Sequence, residues 1–280
     1  MKVSLANGKS ISLTVLPIEK ILPHEDVIPA LIASVKRDMV RTCFQRDPIV
    51  IDRKTKVVLD GMHRRAALSS IGARFAFCVE FDYLNRSVVL ERWLRYFIAP
   101  DRKFVDELVC MLGLKRSKSL NTAMRAVDVS RSGVGLLSSK ESYAGEHQAD
   151  LMTSYRKLAQ FDKLARSRRV EVQFHPENER ISLFSSESVF VLYPPKLKKK
   201  QILGMAKEGI VLPFKTTRHI LPTRPMGFYF PLNLLMQSSL GKCNQALKQR
   251  IAESRIDLVD RDTWYEGRRY SEPLAIFRRG

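Results

Sequence analysis

The chain has 280 residues, 45% hydrophobic and 28% charged, an ordinary globular composition with length enough for one large or two small domains. No apolar run reaches the roughly 18–20 residues that span a bilayer, and residues 1–9 lack the apolar core of a signal peptide, so a cytoplasmic protein with no membrane partner is expected. The net charge of +19 points to a polyanion, nucleic acid or nucleotide, although a basic solvated surface would give the same figure.

In chain order, residues 11–16 alternate like a strand, and Pro23-His24-Glu25 follows as a turn. Pro29 suits the first turn of a helix, whose Leu31, Ile32, Val35 and Met39 fall on one face with a period near 3.6. Residues 48–52 and 56–59 read as short strands joined by a hairpin through Arg53-Lys54-Thr55. Asp60-Gly61 then leads into a helix that runs to Ile71 and is stopped by Gly72. Residues 75–81 are again strand-like.

Residues 103–165 read as mainly helical, with a Ser/Gly-rich middle, 130–145, suited to a loop or lid. Short strands are expected over 170–172, 181–183 and 189–192, with Asn178 in a turn, and a helix from about Lys196 to Gly209. The last sixty or so residues are mixed, and Pro222, Pro225 and Pro231 favour extended chain. The cysteines, Cys43, Cys78, Cys110 and Cys243, form no CxxC pair and read as reduced, buried thiols. No Cys/His cluster has zinc-ligand spacing.

Three stretches could carry chemistry. Asp60-Gly61-Met62-His63-Arg64 puts a glycine and two basic side chains at a helix start, where unpaired amides and a partial positive charge suit phosphate. Asp60 could hold a divalent cation. The same residues also suit a plain Asp-Gly turn on a basic surface helix. Glu25, at a strand-to-helix turn, could take a proton from a substrate hydroxyl, or could be a solvated loop residue. Lys215-Thr216-Thr217-Arg218-His219, flanked by apolar residues, makes a dense set of donors for carboxylate or phosphate, or a buried polar turn.

Taken in order, Pro-His-Glu at 23–25, Pro-Ile-Val-Ile at 48–51, Val-Leu-Asp-Gly-Met-His-Arg at 58–64, Gly72-Ala73, Phe81-Asp82-Tyr83, Trp93, Pro-Pro-Lys at 194–196 and Lys-Thr-Thr-Arg-His-Ile-Leu-Pro at 215–222 resemble the free L-serine kinases, which make O-phospho-L-serine. The resemblance spans most of the chain but is poor over about 103–168. It implies an α/β (α+β) fold: a ParB/sulfiredoxin-like catalytic domain over 1–98, and a mixed helical and small-sheet domain over 99–280 that completes the serine site. It implies Glu25 as catalytic base and Asp60 as a second carboxylate assisting Mg2+ or the hydroxyl. Gly61, Met62, His63 and Arg64 would hold the phosphates of ATP or ADP. Trp93, Lys215, Thr216, Thr217, Arg218 and His219 would bind L-serine, with Arg218 gripping its carboxylate.

One position departs from the pattern: Met62 stands where these kinases often carry His. An amide there still serves a phosphate, whereas a side-chain contact is lost. Met62 also excludes sulfiredoxin chemistry, which needs a cysteine nucleophile at that place. The competing reading is a ParB-like DNA-binding regulator or nucleotide sensor. The charge supports it, and so does a faint helix-turn-helix pattern over Val127–Ser132, although Gly133 and Gly135 would each weaken a recognition helix by about 1 kcal/mol.

Overall fold

The computed structural model describes residues 1–130, 133–145, 150–178 and 188–279. The chain divides into two units: Met1–Val89 with Lys199–Phe214 and His219–Gly280, and Leu90–Lys198 with Lys215–Arg218.

The first unit is built on a five-stranded sheet ordered Lys2–Ser4, Ser10–Pro17, Phe75–Phe81, Ile49–Asp52, Val58–Asp60. Ile49–Asp52 runs parallel to Phe75–Phe81 and antiparallel to Val58–Asp60. The helix Met62–Ile71 makes the crossover that this parallel pair requires. Both central strands are buried along almost their whole length, as expected of strands covered on two faces. Asp52 closes the hairpin: its carboxylate accepts from the Thr55 amide at 2.8 Å and from the Tyr83 amide at 3.1 Å, which also fixes Tyr83. Phe77 stacks on Phe228 and Phe230, with ring centroids 4.4 and 5.4 Å away, so residues from the late part of the chain seal the core of this sheet.

The helix Pro29–Thr42 begins at its proline, as predicted. Its apolar face is less buried than the periodicity suggests: Met39 is in the core, whereas Leu31 is 43% exposed. Cys43 ends it in a left-handed conformation. Cys43 and Cys110 are exposed and only Cys78 and Cys243 are buried, which corrects the expectation of four buried thiols.

The second unit carries a sheet ordered Val172–Pro176, Val89–Ile98, Val189–Tyr193, Gly135–Leu137, Ser142–Gly145, Leu114–Arg116. The helices Arg102–Leu112, Leu120–Ser130 and Leu151–Ser167 accompany it. Residues 133–145 are therefore not a loop or lid. Gly135–Leu137 and Ser142–Gly145 are buried strands that pair with each other, and the first also pairs with Val189–Tyr193. They escaped notice because each is only three or four residues long and the surrounding stretch is rich in serine and glycine. The strand at Gly135 also means that no recognition helix follows Leu120–Ser130 there. The core includes Leu94, Tyr96, Val127, Leu137 and Val191. The strand expected over 181–183 lies outside the described residues.

The helix expected from Lys196 is Lys199–Lys207. The last sixty or so residues are more regular than their prolines suggested. They hold the helix Leu240–Ala252 and the sheet of Arg224–Met226, Leu274–Arg279 and Ser254–Val259. Arg224–Met226 pairs in parallel at an edge of that sheet, where Pro225 removes little pairing.

Candidate active site

In the first unit the chain at Glu25 is pinned by backbone pairing. The Leu212 amide donates to the His24 carbonyl and the Asp26 amide to the Leu212 carbonyl, both at 2.8 Å. Glu25 is thereby held at a fixed place, with its side chain only 11% exposed and an Oε1 3.7 Å from His24 Nε2. His24 is buried, and burial brings its pKa down to about 4 against the opposing pull of the Val58 carbonyl. Its ring meets that of His219 edge-on at 5.7 Å. Burial and the nearby His24 lower His219 to about 3. The Tyr83 hydroxyl lies 2.7 Å from His219 Nε2. Burial first, and then the charges of Glu25 and Asp52, raise the Tyr83 phenol far above its ordinary value. At neutral pH both imidazoles and the phenol are uncharged, so the Glu25 carboxylate sits beside neutral donors.

The strand Val58–Asp60 delivers Asp60 to the helix Met62–Ile71 through Gly61. Gly61 has φ +97°, a conformation that favours glycine, and a Cβ there would fall 2.9 Å from Arg64 Nη2 and push that guanidinium aside. Gly61 is the N-cap and offers no side-chain hydrogen bond, so the first-turn amides carry no side-chain cap. His63 faces Glu25's turn: its Nε2 accepts from the Ile28 amide at 3.1 Å, and its ring meets Phe214 at 5.7 Å. A helix start of this kind suits a phosphate oxygen.

Asp60 sits between two guanidiniums. Its Oδ2 accepts from Arg64 Nη2 at 3.0 Å and from Arg224 Nη1 at 2.7 Å. Burial pushes its pKa up, but Arg224 and Arg64 overcome that and hold it far below the carboxylate range. Arg224 is itself buried and pairs with buried Glu272 at 2.6 Å. Asp60 is the carboxylate from which a divalent cation was expected to hang, and here it is engaged by arginines. Two cations share one of its oxygens, and among the described residues no group of three His, Cys, Asp or Glu could hold a metal ion. Sequence reasoning missed Arg224 and Glu272 because neither belongs to a motif.

In the second unit Trp93, Lys215, Thr217 and Arg218 come together. Trp93 Nε1 donates to the Thr217 carbonyl at 3.0 Å, and the Lys215 ammonium lies 3.9 Å from the centre of the Trp93 ring. Lys215 takes a left-handed backbone conformation, φ +56°, and its carbonyl accepts at 3.5 Å from Arg95, a fully buried guanidinium paired with Asp162. Thr216 is buried. Arg218 pairs with Glu91, another residue that no sequence signal marked. Burial raises the Glu91 carboxyl despite Arg218, which opposes it.

No family model matches the chain. It is 25% identical over 242 residues to an ATP-dependent L-serine kinase of Desulfurococcus mucosus, covering 81% of this chain and 92% of the relative. It is 22% identical over 225 residues to an ADP-dependent L-serine kinase of Thermococcus kodakarensis, covering 78% and 90%. Over 90 residues it is 33% identical to a ParB-like protein of Sulfolobus acidocaldarius, covering 32% and 44%. A solved free serine kinase in complex with AMP superposes with a TM-score of 0.65 at 20% identity, over 80% of this chain and 94% of that one. Along nine-tenths of their length the chain is similar to these L-serine kinases in sequence, and it shares their fold, a ParB/sulfiredoxin-like one.

Proposed function

We propose that the protein transfers a phosphoryl group from ATP or ADP to the hydroxyl of L-serine, giving O-phospho-L-serine. The observation that carries this is the match to L-serine kinases of two organisms over nine-tenths of their length. Glu25 is the base. The serine oxygen forms a bond to phosphorus as the bond from phosphorus to the leaving nucleotide oxygen breaks, and the serine proton passes to Glu25. A carboxylate held among neutral imidazoles and a phenol supports that role.

The Gly61–Arg64 turn, with amides and the Arg64 guanidinium, handles the nucleotide phosphates. Asp60 acts by fixing Arg64 and Arg224. Asp60 would also help hold a magnesium ion bound with the nucleotide phosphates, and that ion would neutralise their charge. In the expected division of the chain, 1–98 binds nucleotide and 99–280 completes amino-acid recognition. Trp93, Lys215, Thr216, Thr217, Arg218 and His219 serve the amino acid. The deciding experiment incubates the protein in magnesium with L-serine and either ATP or ADP, and detects phosphoserine by mass spectrometry. Phosphoserine with one donor establishes the activity and names that donor; none with either ends the proposal.

A further inference from the structure

Within the first unit a cavity of about 200 Å³ opens beside Asp60, and four guanidiniums reach its wall: Arg46, Arg64, Arg224 and Arg268. Their charges are unevenly matched. Arg46 pairs with Asp47 and Glu266, and Arg224 pairs with Asp60 and Glu272. Arg64 shares the Asp60 oxygen with Arg224, and its Nε is buried with no hydrogen-bond partner. Arg268 makes no ion pair among the described residues; it lies over the Tyr270 ring, 5.0 Å from its centre, and its charge reaches Asp60 only at longer range. One polar cavity is thus lined by a guanidinium that makes no ion pair among the described residues and by a second with an unused buried donor, beside the carboxylates of Asp47, Asp60 and Glu266.

We propose that this cavity is a phosphate subsite, taken by a phosphate dianion that is either free or the terminal group of a nucleoside polyphosphate. Guanidinium forks match tetrahedral oxyanions in geometry and charge, and an anion here supplies the acceptor that Arg64 Nε lacks and the counterion that Arg268 lacks. Size sets the class. Pockets for drug-sized ligands run to roughly 300–1,000 Å³, so this cavity holds one or two phosphate groups and no nucleoside. Two of its arginines, Arg224 and Arg268, come from the late part of the chain and lie outside every motif of the sequence reading. The free-anion form is independent of the kinase reading; the polyphosphate form rests on it.

The test is calorimetric titration of the full chain, without serine, using inorganic phosphate and then pyrophosphate. Arg268→Gln is the variant, because Arg268 is exposed and makes no ion pair among the described residues, and a far-UV circular dichroism spectrum matching the wild type checks that the fold is kept. Both anions should bind the wild type, and Arg268→Gln should weaken them by about tenfold or more, the worth of one hydrogen bond to a charged group. Repeating the phosphate titration on protein saturated with ATP or with AMP separates the two sources. Loss of phosphate binding with ATP but not with AMP assigns the cavity to the donor's terminal phosphate. Binding that survives both assigns it to a free anion. Absence of phosphate and pyrophosphate binding, or equal affinity in the variant, overturns the proposal. The readout needs no turnover, so a failure to phosphorylate serine leaves it standing.

Discussion

Arg224 joins Asp60 to Glu272, and its replacement by methionine measures how much that tie holds the first unit together. Methionine keeps most of the apolar stem and removes the charge. Arg224's side chain is 6% exposed and Glu272's is 5%, whereas Asp60's is 32% exposed and keeps Arg64. The cost therefore falls mainly on Glu272, which is left as a buried carboxylate with no cation. Breaking a buried pair from one side costs about 3–5 kcal/mol. The Asp60 side of the tie is solvent-screened and adds little, so the lower end, about 3 kcal/mol, is expected. Urea unfolding followed by far-UV circular dichroism reads this as a lowered midpoint at unchanged slope. Adding Glu272→Gln neutralises the stranded carboxylate and should return more than half of the loss, a strong coupling for groups in direct contact. The reasoning fails if Arg224→Met unfolds within about 1 kcal/mol of the wild type, or if the two substitutions add as independent sites do.

Three further outcomes are expected. Glu25→Gln should abolish phosphoserine formation while nucleotide binding, measured by calorimetry, stays within a few-fold of wild type; full turnover in that variant removes the proposed base. Gly61→Ala should lower stability by about 1–2 kcal/mol, since alanine is strained at φ +97° and its Cβ meets the Arg64 guanidinium, and it should weaken ATP binding; an unchanged melting temperature would show that the turn relaxes freely. The depressed pKa of His24 gives a pH signature. Unfolded, the ring takes a proton near 6.5, and folded it does so only near 4. The stability contribution is therefore complete above about pH 6.5 and drains away as pH falls toward 4, by roughly 3 kcal/mol in all. Buried His219, lowered to about 3, adds a like slope, so the urea midpoint should drop between pH 7 and 5 and His24→Gln should remove about half of that slope; a wild-type midpoint level across this range contradicts the burial of neutral rings.

Much of the first unit was legible because its signals are local. Pro29 presets the backbone of the helix it opens, Gly61 and Gly72 take left-handed conformations that bracket Met62–Ile71, and Phe75–Phe81 carries its burial as an apolar run interrupted only by Glu80. The turn at 60–64 showed for the same reason: glycine, acid and base at fixed spacing need no distant partner to be read. The strands Gly135–Leu137 and Ser142–Gly145 were invisible because three or four residues are too few to carry a period, and only pairing with each other and with Val189–Tyr193 makes them strands.

The same division runs through the site. Residue order alone singled out Glu25, Asp60 and the Lys215–His219 run as places where chemistry could occur. Tertiary structure alone decided what each one touches: Asp60 meets Arg224 across 164 positions, Tyr83 meets His219 across 136, and Arg218 meets Glu91 across 127. Among 48 basic and 29 acidic residues, a side chain's charge does not name its partner. Backbone preference is written within a few residues, whereas an ion pair depends on which distant strands the packed core brings within about 3 Å, and burial then sets whether those groups hold their protons.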